Sequence, residues 1–219
     1  MKNYFIPISF VVLVYFLSIS INDAQAATNI DLIDQPSCQT TPLSGTWNAT
    51  TSTCIISRLI LGADDSLIVD NSVFSNIGLT ITDHINNDGT ITNFGIINIK
   101  NNGTIDNWGK IINNQKGTIT NSGTLIINEL GTIINSGSIV NYAIMIHNMG
   151  STITNSGTLK NMCGGTFTSS GDFIGNPVDN ISCTTTPNTS VVPEFPLALP
   201  VLVISITSLI IFYRMKSAF

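Results

Sequence analysis

Gly103-Thr104-Ile105-Asp106-Asn107-Trp108-Gly109-Lys110-Ile111-Ile112-Asn113-Asn114-Gln115-Lys116 is one unit of a pattern that repeats every fourteen residues from Gly89 to Ile144. Gly-Thr-Ile returns in register at Gly89-Thr90-Ile91, Gly117-Thr118-Ile119 and Gly131-Thr132-Ile133. Asparagine returns at Asn93, Asn107, Asn121 and Asn135, and glycine again at Gly95, Gly109, Gly123 and Gly137. A unit this short has no core until its neighbours cover it, so the period predicts a stacked solenoid.

Within the unit, Asn-x-Gly is turn chemistry, because asparagine tolerates the left-handed region and glycine adopts positive φ without strain. A second polar turn precedes each Gly-Thr-Ile. Two turns and two short strands per unit predict a right-handed parallel β-solenoid of about 14-residue coils, an all-β fold. Side-chain alternation sends the third, fifth, ninth and eleventh positions inward. On that register Ile91, Ile105, Ile119 and Ile133 form one aliphatic column, and Ile97, Ile111, Leu125 and Ile139 another. The column Asn93, Asn107, Asn121, Asn135 reads as turn-forming side chains bonded to local backbone in preference to an internal ladder. After Ile139 the register loosens, through Asn141-Tyr142-Ala143, Asn148-Met149-Gly150, Asn155-Ser156-Gly157 and Cys163-Gly164-Gly165. Residues 60–85 read as divergent entry coils. About seven coils at ~4.8 Å each predict a rod roughly 35 Å long. A β-sandwich of hairpins is the alternative that the same turns permit.

The chain of 219 residues is poor in charge, at 10%, with a net charge of −5. No basic cluster lies between Asp31 and Pro187, so a nucleic-acid partner is not expected. Residues 1–26 read as a secretory signal peptide: Lys2, an apolar run from Phe5 to Ile21, then Ala24-Gln25-Ala26. An uncleaved N-terminal anchor is the other reading of this segment. Residues 184–196 read as a Thr/Pro spacer, 197–213 as a transmembrane helix without a charge, and 214–219 as a basic tail carrying Arg214 and Lys216. The positive-inside rule places that tail in the cytoplasm and the preceding domain outside the cell.

Pro193-Glu194-Phe195-Pro196, ahead of this apolar run and the Arg-x-Lys end, resembles the PEF-type sorting signals of archaeal surface proteins. The resemblance implies a membrane-embedded archaeosortase as partner, which would cut near the motif. A retained helix is the other anchor, and either route tethers the domain to the cell membrane at the cell surface.

Four cysteines in an exported chain predict two disulfides. Spacing favours Cys38–Cys54 and Cys163–Cys183, each pair bracketing one end of the repeats. This gives a disulfide-closed N-terminal cap over 27–56 and a repeat domain with a C-terminal disulfide cap over 57–183. The first pair encloses a segment that resembles a Cys-x-Gly-Thr-Trp-x-Cys module found ahead of repeats in similar archaeal surface proteins. A metal site is the weaker reading, since no pair has CxxC spacing. Asn48, Asn102, Asn180 and Asn188 stand in N-glycosylation sequons.

No converging carboxylates, phosphate loop or nucleophile elbow is present, so neither catalytic residues, metal ligands nor a cofactor are assigned. Asp83-His84 is the one suggestive doublet and reads as an exposed turn pair. Phe94 and Trp108 share one repeat position where later units carry Ser122 and Ser136. On fourteen-residue coils the two rings would stack into a patch for sugar rings, unless entry-coil loops cover them. The expected function is a membrane-anchored, non-catalytic structural or adhesin-like surface protein. The alternatives are a glycan-binding module using that patch, or a fibril-forming matrix component; cell-surface glycans and other surface proteins are the candidate partners.

Overall fold

The computed structural model describes residues 27–71 and 77–183. Over these the chain winds into a parallel β-solenoid of about six turns, with three faces around one core. The first face stacks Asn29–Leu32, Ser66–Val69, Thr90–Asn93, Lys110–Asn113, Thr132–Asn135, Thr152–Asn155 and Asp172–Gly175. The second stacks the 53–56 part of Thr53–Leu61, the 78–81 part of Gly78–Asn87, then Ile96–Ile99, Thr118–Asn121, Ser138–Asn141, Thr158–Asn161 and Asp179–Asn180. The third stacks the 58–61 and 84–87 parts of the same two long strands, then Thr104–Asn107, Thr124–Ile127, Ile144–His147 and Thr166–Ser169. Seven strands on the first face, stepped by ~4.8 Å, span ~29 Å.

The coil is not fourteen residues long. Asn93 lies beside Asn113, 20 residues on, and Asn113 beside Asn135, 22 residues on. Each coil holds three strands, whereas each repeat supplies two. A repeat contains one two-residue corner, such as 108–109, and one four-residue corner, such as 114–117. Coils with one long corner take 20 residues and coils with two take 22, so a pair of unequal coils uses three repeats. Local sequence sets strands and corners, but closure requires a third corner, which no single unit contains.

The inward positions are those that alternation predicts, but the columns regroup. Ile91 stacks on Ile111, Ile133 and Ile153 instead of on Ile105. The second face contributes Leu79, Ile97, Ile119, Ile139 and Leu159, and the third Ile85, Ile105, Leu125 and Met145. All are buried, each contributing about 1.5–3 kcal/mol relative to exposure.

The asparagines are internal ladders, contrary to the turn reading. Asn93, Asn113, Asn135 and Asn155 are fully buried and joined Nδ2 to Oδ1 at 2.8, 2.8 and 2.7 Å. A second ladder runs Asn121, Asn141, Asn161, and a third begins with Asn87 and Asn107. The remaining Nδ2 hydrogen goes to backbone further along, as from Asn93 to the Thr118 carbonyl. Local backbone bonds persist beside the ladders: Asn93 and Asn121, with no asparagine beneath them, accept at Oδ1 from Gly95 and Gly123 N–H, and Asn107 and Asn141 Nδ2 donate to the Gly109 and Ala143 carbonyls. Inward placement wins because three corners bring asparagine over asparagine along the first face and parts of the other two, satisfying most of these amides without water. Asn87 Oδ1 is left without a partner among the described residues.

The corner glycines are also required for a different reason than positive φ. At Gly109 a Cβ would run into the Gly89 carbonyl oxygen, and at Gly123 into that of Gly103. The stacked backbone leaves no room for a side chain there.

Each end carries a disulfide. At the start, helix α1 (Gln35–Gln39) is capped by Asp34, and Thr46–Asn48 pairs antiparallel with Thr53–Leu61. The Cys38–Cys54 disulfide joins these two parts. Asn29–Leu32, within the stretch read as cap, is already a strand of the solenoid. At the other end Phe167, Phe173 and Val178 stand in the core columns, and the two rings meet edge to face at 6.2 Å. The Cys163–Cys183 disulfide lies at this end.

Candidate functional site at the Phe94 corner

Phe94 follows Asn93 at the corner between the first and second faces, where its neighbours along the rod follow Val69 and Asn113. Those neighbours are Asp70 and Asn114. Trp108 follows Asn107 at the corner between the third and first faces, level with Asp88 below and Asn128 above. The two rings therefore occupy different edges and do not stack, which corrects the shared patch. The error came from taking two strands per coil instead of three. Entry coils do not cover them among the described residues: Phe94 is 40% and Trp108 49% exposed.

Around Phe94 the surface is concave. A depression of about 450 Å³ is lined by Ile68, Asp70, Asn71, Phe94 and Lys116. A second of about 460 Å³ is lined by Phe94, Asn114, Gln115, Lys116 and Ser136. The four-residue corner 114–117 supplies the polar half of this site, one coil after the ring. An aromatic face bordered by amides, a hydroxyl and an ammonium suits a sugar, whose C–H face stacks while its hydroxyls bond outward. Sequence reasoning missed Asn114, Gln115 and Lys116, since they approach Phe94 only through the 20-residue coil.

The remaining titratable residues are dispersed. His84 Nε2 pairs with Asp106 Oδ2 at 2.8 Å on the outer third face, not with Asp83. Arg58 lies beside His84 on the adjoining strand. Among the described residues no group of three or more His, Cys, Asp or Glu is gathered. His147 instead stands in the third face's polar column, fully buried, with Nδ1 2.8 Å from Ser169 Oγ. Burial pushes its imidazole below the ordinary value, while the Ser151 backbone and the Asp172 charge act the other way. Nε2 has no partner of hydrogen-bond geometry among the described residues. Asp65 is held below the usual carboxylate range by N–H bonds from Thr28 and Gly62.

Of the sequons, Asn48 is exposed, with Oδ1 accepting from Thr50 and Thr51 N–H. Asn102 is exposed in the corner 100–103. Asn180, in the last strand, accepts from Asn161 Nδ2 at 3.2 Å. Asn188, the signal segment 1–26, the spacer, Pro193, Glu194, Phe195 and Pro196, the apolar run 197–213 and the tail 214–219 lie outside the described residues. No helix among the described residues is long and apolar enough to cross a membrane. Comparison with known proteins finds no matching family model, no matching curated protein and no matching solved structure.

Proposed function

We propose that this chain is a structural, adhesin-like surface module held outside the cell by its C-terminal segment, with no catalytic role. The observation that carries the reading is the stapled interior: buried asparagine ladders along the rod and a disulfide at each end. Such an interior consumes its polar groups on neighbouring coils, and disulfides persist in oxidising compartments. The uncharged run 197–213, followed by Arg214 and Lys216, supports anchoring with the tail in the cytoplasm. Protease treatment of intact cells, with mass spectrometry of the native C-terminus, tests it. The reading expects the repeat domain to be accessible from outside. A mature fragment containing Ile204 to Phe219 selects a retained helix over archaeosortase cleavage, and a domain protected until lysis overturns the reading.

A second reading, a glycan-binding module, is favoured by the Phe94 depression. It expects Phe94→Ser and Lys116→Ala each to weaken binding to cell-surface glycans, with Trp108→Ser neutral. Equal binding by all three variants removes it. A fibril or matrix component is the third reading, which the disulfide at each end disfavours.

A further inference from the structure

Where the fourteen-residue register breaks, the molecule acquires a feature found at no other place in its described repeats. Corners 136–137 and 142–143 are both short, so the long corners 128–131 and 148–151 land on the same edge in successive coils. They are stitched together by Leu130 N–H to the Gly150 carbonyl at 3.1 Å and Asn148 Nδ2 to Asn128 Oδ1 at 3.2 Å. Elsewhere the long corner moves from edge to edge.

This doubled corner carries the two most exposed large apolar side chains of the described residues, Leu130 at 80% and Met149 at 78%. Trp108 lies on the same edge one coil earlier. Leu130 has φ +67°, and the equivalent position one coil on is Gly150 at +81°. A leucine in glycine's backbone region, buried against nothing, is costly on both counts, and unrelieved strain of this kind marks functional positions. The three residues follow one another along one edge in successive coils. Side chains this exposed suit insertion into a deformable partner.

Charge near the row is mixed: Glu129 and Asp88 against Lys110. Attraction to an anionic surface is therefore weak, and an apolar, uncharged interface fits better. The chain itself carries the means to reach one. Its run 197–213 reads as membrane-spanning, and only thirteen residues, 184–196, separate that run from the described domain. We propose that the edge bearing Trp108, Leu130 and Met149 docks on the zwitterionic lipid surface to which the chain is tethered, with Leu130 and Met149 inserted among the headgroups. This rests on the tethering stated above, which raises the local lipid concentration and so makes a small apolar row sufficient.

The test uses the full chain in phosphatidylcholine vesicles, with Trp47→Phe leaving Trp108 as the sole indole. Flotation after carbonate extraction reports the tether alone. Replacing the lipid by its brominated form should quench Trp108 emission, and adding Leu130→Asn with Met149→Asn should abolish that quenching while flotation persists. A Trp108→Phe chain that keeps Trp47 should show none, which guards against loss of fold in the first variant. Trp108 emission unchanged by bromine and open to aqueous iodide, in a chain that floats, overturns the docking. Trp108 shielded from both quenchers means that protein covers the edge, and overturns it equally. If the chain does not float, the tether fails; quenching by added brominated vesicles then still decides whether the edge takes lipid.

Discussion

Asn113 accepts from Asn93 Nδ2, while its own Nδ2 donates to Asn135 Oδ1 and to the Ser138 carbonyl, all out of contact with water. Removing this amide strands a donor below and an acceptor above. Buried unpaired polar groups cost about 1–3 kcal/mol each, so Asn113→Ala should destabilise by about 2–4 kcal/mol in urea unfolding. His147 makes the complementary case, because its buried ring lies below its ordinary pKa. The sign follows from proton counting. The unfolded chain binds the proton near pH ~6.5, and the folded chain binds it only at lower pH. Stability is thus full above the unfolded value and falls as pH drops below it, by at most ~1.4 kcal/mol per pH unit. Thermal melts at pH 7.5 and 5 should show this loss in the native chain, and a smaller one in His147→Asn. Equal losses in both contradict the assignment.

At the scale of the corner, Gly109 and Gly164 separate two demands that sequence alone cannot distinguish. Gly109 faces the Gly89 carbonyl oxygen, whereas Gly164 has open space around it and φ +85°. Gly109→Ala should therefore cost about 1–3 kcal/mol or more through overpacking. Gly164→Ala should cost only ~1 kcal/mol, through the left-handed backbone. Chemical denaturation ranks the two, and the reverse order would show that the left-handed backbone at Gly164 matters more than the close approach at Gly109. The same contrast explains what was legible. Strands, corners and inward positions follow from alternation and turn chemistry, so Ile91, Asn93, Ile97 and Ile99 could be placed inside from their order alone. The partner of each could not. Ile91 meets Ile111 because a coil needs three corners, and nothing within one unit counts corners. Each misreading follows from that: the turn role given to asparagine, the stack of Phe94 on Trp108, and the missed approach of Asn114, Gln115 and Lys116 to Phe94. The Cys38–Cys54 and Cys163–Cys183 pairs were legible because ends are marked by position, whatever the coil length.

For the whole molecule, the disulfide at each end bears on whether rods join end to end. A parallel solenoid ends in unpaired strand edges, which template further stacking unless they are covered. Here α1 and Thr46–Asn48 lie over the first coil, while at the other end Thr166–Ser169, Asp172–Gly175 and Asp179–Asn180 are the outermost strands among the described residues, held by the Cys163–Cys183 disulfide. Reduced protein should assemble into fibres that light scattering and microscopy detect, while oxidised protein stays monomeric in size-exclusion chromatography. Ready polymerisation of oxidised protein favours the matrix reading instead. Everything proposed for the surface, from the Phe94 depression to the apolar edge at Leu130, depends on which residues lie one coil apart. Nuclear Overhauser contacts from the Asn93 side-chain amide read that spacing directly. The three-strand coil predicts a contact to the Asn113 side chain, 20 residues away, and none to Asn107. A contact to Asn107 without one to Asn113 would restore the fourteen-residue coil and contradict the account.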